Sequence, residues 1–345
     1  MKKGFKSGLI VLIVMILVII GISIYTIFHP KPYFTLDGFG NTFNSDQITS
    51  ELLENYDSDK ADNKKQSYGR NFIAALKIEG TIQEANSSYN QAWLLSTINE
   101  LKNNKNNVAL AIFINSPGGA VYQADEVYLA LENYKTSGKP IYVYQGSMAA
   151  SGGYYISCAG NQIYSNRNTL TGCIGVIMGS SYDLTGLFEK LGIKSETIHS
   201  GKNKNMMNYN EPVTEEQRAI MQSICDDCYK QFVNIVAKSR HMPRPKAVEL
   251  SDGRLYTANQ ALENGLVDHI DSWENMLKSL AEDELKMPGI KVNTYQYHKK
   301  QTFVDMMMGK AQEISRAKTA ASLGLPEAVI EDMNNSSMTP MYLYK

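Results

Sequence analysis

The sequence predicts an α/β fold, and two kinds of pattern support that prediction. Short apolar runs, typical of strands buried on both faces, alternate with longer stretches of helical periodicity. Glycine-rich turns follow two of these strands, at Gly118-Gly119 and between Gly146 and Gly153. In α/β sheets the chemistry lies in the turns at the carboxyl ends of the strands. We therefore expect any active site in these two turns.

The individual elements follow in chain order from residue 71. The predicted strands are 71–80, 108–115, 140–144, 163–164 and 175–178, and the predicted helices are 90–102, 121–136 and 216–240, with another helix opening near Ser151. These elements define a domain at 71–300, followed by a C-terminal extension and tail at 301–345. Glu331 to Lys345 shows no periodicity, which predicts a loose tail.

Composition restricts the class of protein. The chain has 345 residues, is 43% hydrophobic and carries a net charge of -1, so it can bury a substantial core and offers no basic field for a nucleic acid. Four cysteines in this length do not form a disulfide scaffold. Cys225 and Cys228 lie in a predicted helix without a partner motif, and no H-E-x-x-H occurs. We expect no metal and no cofactor.

The N-terminus predicts a membrane anchor. Gly8 to Phe28 contains no charged side chain, and a transmembrane helix needs roughly 20 such residues. Lys2, Lys3 and Lys6 precede this run, which predicts a cytoplasmic segment at 1–7 and an extracytoplasmic domain. The alternative is a cleaved signal peptide, but the run ends in bulky residues instead of a small-residue cleavage site. Residues 29–70 are mostly polar and predict a linker.

Ser151 is the leading candidate nucleophile. It lies among small residues after a predicted strand, where a helix N-terminus favours a negatively charged intermediate. An N-cap serine would have the same pattern, so that alternative stays open. Ser147 is a second candidate, but it lacks the two glycines that follow Ser151 and permit close approach. The glycines at 118 and 119 can direct backbone N–H groups at an oxyanion, or simply form a tight turn.

The base that a serine nucleophile needs is not evident among the histidines, none of which lies in a motif. Lysine remains, and Lys204 lies in a loop that follows a strand-like segment. A lysine accepts a proton only when neutral, which requires burial that lowers its pKa. A loop lysine is more commonly a solvated charge, so spacing alone favours this role only weakly.

Five ordered motifs resemble those of one family. They are I-N-S-P-G-G at 114–119, G-S-M-A-A-S-G-G-Y-Y-I-S at 146–157, T-G-C-I-G-V at 171–176, S-G-x-x-K at 200–204 and D-G-R-x-Y-T at 252–257. Together they resemble the SppA-type signal peptide peptidases, a bacterial family of serine peptidases with the ClpP/crotonase-like fold, a repeated ββα spiral. The match spans over half of the chain.

The resemblance implies a role for each site residue. Ser151 would be the nucleophile and Lys204 its general base, with Lys202 as the alternative lysine. Gly118, Gly119 and the amide of Gly152 would serve the oxyanion. Cys173 stands where the family usually has a serine that orients the lysine, and a thiol is the weaker hydrogen-bonding group.

The resemblance also implies how the protein works. Members form ring-like homo-oligomers in which neighbouring subunits supply the serine and the lysine, and they degrade signal peptides and other extended peptides. The expected place of this chain is the cell membrane, as a single-pass protein acting on the extracytoplasmic face. Two alternatives remain: a catalytically inactive membrane scaffold or immunity protein, and a crotonase-like acyl-CoA enzyme.

Overall fold

The computed structural model describes residues 69–179, 182–299 and 341–343. The predicted anchor at 8–28 and nearly all of the predicted linker lie outside these ranges. Within the described ranges, no helix has both the length and the apolar character needed to cross a bilayer.

The strands and helices alternate along the chain. The strands are β1 (Phe72–Glu79), β2 (Asn107–Ser116), β3 (Gly118–Ala120), β4 (Ile141–Ala150), β5 (Gln162–Ser165), β6 (Leu170–Gly172), β7 (Leu255–Thr257), β8 (His269–Ile270), β9 (Lys291–Tyr295) and β10 (Met341–Leu343). The helices are α1 (Gln91–Asn103), α2 (Val121–Lys135), α3 (Gly152–Ser157), α4 (Thr185–Leu191), α5 (Glu215–Ser239), α6 (Arg244–Glu249), α7 (Ala258–Glu263) and α8 (Trp273–Ser279), and α8 runs into a π-helical turn at Leu280–Glu284.

Most of the strands form one sheet, in the order β7-β6-β4-β2-β1-β9, with β5 against β4 and β8 against β5. All these pairs are parallel except β6 with β7. Helices cover both faces: alternate residues of β1 pack either in the core that includes α1, α2 and α5, or in the core that includes α8. The predicted α/β class is confirmed.

A bend in β4 precedes the predicted nucleophile, which follows the C-terminal end of this interior strand. The first half of β4 pairs with β5 and its second half with β6. Against β2, the register jumps from Ile114 opposite Gln145 to Ser116 opposite Ala149, so β4 has extra residues at this point. The side-chain Oδ1 of Asn115 holds this bulge, because it accepts hydrogen bonds from the Ser147 hydroxyl at 2.7 Å and the Met148 N–H at 3.2 Å.

Two sequence predictions are wrong. No named strand covers 175–178; the strand in this region is Leu170–Gly172, and the chain turns away from the sheet where Gly172 and Cys173 both take positive φ. The tail predicted as loose contains β10, which pairs with β3 at Gly118 to Ala120. A three-residue strand leaves no detectable periodicity, and its partner lies more than 200 residues away in the sequence.

Candidate active site

Ser151 lies at the junction of β4 and α3, with only 1% of its surface exposed. Its backbone takes φ 52° and ψ -114°, a strained conformation for a residue with a side chain. Two hydrogen bonds hold it, because the Ser151 N–H donates to the Gly172 carbonyl at 2.7 Å and its carbonyl accepts from the Tyr155 N–H at 2.8 Å. Such strain costs about 1–3 kcal/mol and is concentrated at functional sites.

The hydroxyl of Ser151 does not cap the helix that follows it. Ser151 is the N-cap residue of α3, yet its side chain makes no cap hydrogen bond. The sequence left open whether this serine serves the helix or the chemistry. The structure decides against the capping role, because a capping serine accepts a hydrogen bond from an N–H of the first turn.

Cys173 lies beside Ser151 because their strands are neighbours. Ala150 of β4 is in register with Gly172 of β6, so the residues that follow them leave the sheet together. Cys173 has φ 48°, and its N–H donates to the Arg254 carbonyl at 2.8 Å. Burial raises the pKa of the Cys173 thiol, which keeps this group neutral at physiological pH.

The glycine turn contacts α3, the helix that begins directly after Ser151. Gly118 has φ 102°, and a side chain on Gly119 would lie 1.8 Å from the carbonyl oxygen of Ile82, so both positions require glycine. The Gly118 N–H donates to the Ser116 hydroxyl at 3.1 Å, so it is already engaged within the turn. Gly152 is the first residue of α3, and a helix cannot satisfy its first N–H groups internally.

A cavity of about 340 Å³ opens at Ser151. Cys173, Gly175 and Val176 form one wall, Asp252 and Gly253 another, and α5 closes it with four residues at helical spacing: Gln222, Cys225, Asp226 and Tyr229. Hydrogen bonds from Arg254 lower the pKa of the Asp252 carboxyl. The described residues that line this cavity include neither a lysine nor a histidine.

The structure does not bring the candidate lysines to Ser151 within one chain. Lys204 is exposed, in a turn closed by its N–H and the Gly201 carbonyl at 3.0 Å, and it does not line the cavity. Lys202 forms an exposed ion pair with Glu216, whose pKa this contact lowers. Because the Lys202 ammonium is already engaged by the Glu216 carboxylate, Lys202 is the poorer candidate for a base.

Sequence reasoning missed several residues of the site. The spacing i, i+3, i+4, i+7 from Gln222 to Tyr229 is a readable signal for one helical face, although nothing in the sequence shows what that face covers. Asn115 acts on a bulge in another strand, β4. Apart from its place in the motif at 114–119, nothing in the sequence indicates this role. Ser147, the second candidate nucleophile, is exposed and donates to Asn115, which makes it part of the bend.

Comparison with known proteins identifies the family. Residues 133–287 match the profile described as peptidase family S49. A protein of Enterococcus faecium named as a signal peptide peptidase SppA is 37% identical over 258 residues, which cover 72% of each chain. The chain therefore belongs to peptidase family S49 and is a serine peptidase.

A second relative and a solved structure are also similar to the chain. A Synechocystis protein named as a protease is 32% identical over 286 residues, covering 80% of this chain and 97% of the relative. Among solved structures, a ClpP1 mutant from Listeria monocytogenes has a TM-score of 0.41 and 18% identity, covering 59% of this chain and 94% of that one.

Proposed function

We propose that the chain is a membrane-anchored Ser–Lys endopeptidase that cuts signal peptides and other extended peptides. Ser151 attacks the scissile carbonyl, and Lys204 of a second copy of the chain takes the proton from its hydroxyl. Gly119 and Gly152 direct backbone N–H groups at the oxyanion that forms on the substrate. The five motifs and the family membership support this assignment.

The observation that carries the proposal is that one chain holds only part of the machinery. Ser151 is buried at a cavity whose described lining contains no base, while Lys204 is exposed on a separate loop. A serine hydroxyl is a weak nucleophile without a base in hydrogen-bond reach. A loop from a neighbouring subunit supplies one, and burial beneath that subunit gives a lysine the dry surroundings in which it can lose its proton.

The segment around Lys204 has the character of a contact surface. Leu191, Ile193 and Ile198 are 61%, 48% and 94% exposed, although each is a large apolar side chain. Apolar side chains grouped on a surface mark interaction sites. Because these residues precede Lys204 along the chain, a subunit that covers them also covers the loop that carries the lysine.

The proposed location of the protein and its proposed substrate class are both supported by the sequence and by its similarity to a named relative. The uncharged run at 8–28 and the lysines before it support an anchor with the peptidase domain on the extracytoplasmic face. The name of the Enterococcus faecium relative supports signal peptides as substrates. An enclosed, shared site admits only chains that enter in extended form. The family membership favours this reading over the inactive-scaffold and acyl-CoA alternatives.

The proposal is tested with Ser151→Ala and Lys204→Ala in the detergent-solubilised full chain. Each variant is expected to lose hydrolysis of an unstructured fluorogenic peptide by at least about 10³-fold, because the nucleophile and its base act as a unit. Ser147→Ala and Lys202→Ala are the matched controls and are expected to keep most of the activity.

A serine-directed acylating probe separates the peptidase from an inactive scaffold. Labelling of wild-type protein at Ser151, and loss of labelling in Lys204→Ala, is the expected pattern, since only an activated hydroxyl reacts. Retained hydrolysis in either purified alanine variant would refute the dyad. An unlabelled wild-type chain would instead support the inactive scaffold.

A further inference from the structure

The two N–H groups assigned to the oxyanion belong to different elements. Gly119 lies in β3, and Gly152 is the first residue of α3. The two elements are in contact, although α2 and β4 separate them along the chain. An oxyanion hole works only when its donors lie about 3 Å from the atom on which charge develops. The position of α3 relative to the glycine strand therefore decides whether both donors can act together.

A close contact at the start of α3 is the first point that fixes this position. A side chain on Gly153 would lie 2.9 Å from the carbonyl oxygen of Ser116, so the helix packs directly against the turn. The Ser116 hydroxyl in turn accepts a hydrogen bond from the Gly118 N–H at 3.1 Å. A single point of contact sets a distance but leaves the helix able to pivot about it.

A hydrogen bond between α3 and α2 is the second point. The Tyr155 hydroxyl donates to Asp125 Oδ1 at 2.5 Å. A hydrogen bond to an ionised carboxylate is roughly twice as strong as one between neutral groups. Since α2 begins directly after β3, Asp125 lies only about one helical turn beyond the glycine strand. The bond therefore ties α3 to the element that continues from Gly119.

Tyr155 is also bonded to the nucleophile and to α5. Its N–H donates to the Ser151 carbonyl at 2.8 Å. Its hydroxyl accepts a hydrogen bond from Nε2 of Gln231, on α5, at 2.7 Å. One residue thus connects the strained backbone of Ser151 to the two helices that surround α3.

The packing of the Tyr155 ring does not require the hydroxyl. The residue is fully buried, and the centroid of its ring lies 5.5 Å from that of Tyr128 and 5.0 Å from that of Phe232. A phenylalanine can make the same aromatic contacts. Burying a hydroxyl costs free energy unless the group is hydrogen-bonded. What the hydroxyl adds is a directional link to Asp125, which sets the orientation of α3.

We propose that Tyr155 and Asp125 are positioning residues for the oxyanion, because their hydrogen bond holds the Gly152 N–H at a fixed distance from the Gly119 N–H. The inference rests on the proposed function. Neither residue lines the cavity at Ser151, so both act through α3. Without the bond, α3 pivots about its contact with the turn and the Gly152 N–H leaves the place where charge develops. A peptide still binds, because that donor is needed chiefly in the transition state.

The test compares two tyrosines of α3 in the detergent-solubilised full chain. Tyr154 is also fully buried, and its hydroxyl donates to the Leu266 carbonyl at 2.8 Å. Tyr154→Phe therefore removes a buried hydroxyl from the same helix without affecting Asp125, and it is expected to keep kcat within about threefold of wild type. Tyr155→Phe is expected to lower kcat by about 10- to 100-fold, with KM changed by less than about threefold. Thermal melts check that both variants are folded.

Variants of the partner residues test the bond from its other end, at positions outside the buried core. Asp125→Ala is expected to behave like Tyr155→Phe. Asp125→Asn keeps an oxygen that can accept the hydrogen bond, and it is expected to restore kcat to within about fivefold of wild type. Gln231→Met removes the other hydrogen bond to the Tyr155 hydroxyl, leaves Asp125 in place and is expected to stay close to wild type.

A peptide aldehyde separates positioning of the oxyanion from a general structural effect. The Ser151 oxygen adds to the aldehyde carbon, and the aldehyde oxygen becomes the hemiacetal oxygen that faces the two N–H groups. In Tyr155→Phe the inhibition constant of the aldehyde is expected to rise by about the factor by which kcat/KM falls. The dissociation constant of the corresponding uncleaved peptide, measured with Ser151→Ala added to both chains, is expected to stay unchanged.

Equal kcat in Tyr155→Phe and Tyr154→Phe, weakening of aldehyde and peptide by the same factor, or failure of Asp125→Asn to restore kcat would each overturn the inference. Failure of the proposed function gives a different result. If wild-type protein does not hydrolyse peptides, or if Ser151→Ala still does, the peptidase assignment and the positioning role fall together. If hydrolysis requires Ser151 while Tyr155→Phe is as active as Tyr154→Phe, only the positioning role fails.

Discussion

Ser151 and Cys173 are the two residues of the site with both a side chain and a positive φ, at 52° and 48°. Each follows the last residue of a parallel strand, and the two strands are in register through Ala150 and Gly172. The strain is maintained by backbone hydrogen bonds to Gly172 and Arg254, not by the side chains. The hydroxyl and the thiol are therefore left available to face the cavity.

Replacing the thiol of Cys173 with a hydroxyl is expected to increase the rate of peptide hydrolysis. Cys173→Ser is expected to raise kcat/KM by roughly 2- to 10-fold, because a hydroxyl is the stronger hydrogen-bond partner for a lysine and one such bond contributes about 0.5–1.5 kcal/mol. Peptide hydrolysis measures the effect. Cys225→Ser makes the same atomic change elsewhere in the cavity and is the control. An unchanged or lower rate in Cys173→Ser would contradict an orienting role for this position.

The buried thiol of Cys158 predicts a loss of stability at alkaline pH. Burial raises the pKa of Cys158 from 9.0 to about 11. The thiol of the unfolded chain therefore ionises first, and the folded state loses stability as the pH rises from the unfolded to the folded pKa. Two pKa units correspond to about 2.7 kcal/mol.

Urea unfolding at neutral pH and near pH 11 measures this loss. Cys158→Ala is expected to lose less of its unfolding free energy between the two conditions than wild type does, by an amount on the order of 2 kcal/mol. Cys225→Ala, which removes a half-buried thiol, is expected to have a smaller effect. Identical pH dependence in wild type and Cys158→Ala would show that the buried thiol does not titrate as described.

At the scale of elements, the bend in β4 is the feature on which the site depends. Asn115 of β2 holds the bulge through one oxygen that accepts two hydrogen bonds. Asn115→Leu is expected to reduce activity by at least about tenfold, because two donors lose their acceptor and Ser151 loses its position.

Asn115→Asp is the matched control for the bend, since it keeps the shape and the accepting oxygen. Activity and melting temperature are measured for both variants. The aspartate variant is expected to retain much more of each than the leucine variant. Equal loss in both would mean that the amide nitrogen of Asn115, instead of its oxygen, is what the bend requires.

The elements that were predictable from sequence are those with a continuous local pattern. β1, β2, α1, α2 and α5 lie within one or two residues of their predicted bounds, because their apolar residues are set by period alone. β4 was predicted only to residue 144, since Gly146 to Ser151 reads as a turn. It continues to Ala150 because Asn115 and Thr171 hold its second half, and these are long-range contacts.

The residues of the site also divide into those that a local sequence pattern predicts and those that only long-range contacts bring together. The motifs located Ser151, the glycine turn and Cys173, because each lies at the end of a strand where α/β folds carry chemistry. The cavity face of α5 and the docking of β10 depend on segments that meet only in the folded chain. No local property of the sequence indicates which segments those are.

At the scale of the whole molecule, the exposed apolar side chains that precede Lys204 along the chain predict an assembly that activity requires. Ile198→Asp is expected to shift the protein toward smaller species in analytical ultracentrifugation, because a charge buried in an interface is costly. Hydrolysis is expected to fall with it, although Ser151 and Lys204 are unchanged. Leu129→Asp, at a residue that is 51% exposed on α2, is the control. An active monomeric Ile198→Asp chain would contradict the requirement for assembly.

The most direct test of the shared site mixes two inactive chains. Ser151→Ala and Lys204→Ala subunits are combined in equal amounts, dissociated, reassembled and assayed for peptide hydrolysis. If each site takes its serine from one subunit and its lysine from the next, about one quarter of the sites in a random mixture carry both residues, and activity returns to about a quarter of wild type. If the mixture stays as inactive as its components while wild-type protein treated identically recovers, the dyad is not shared between subunits.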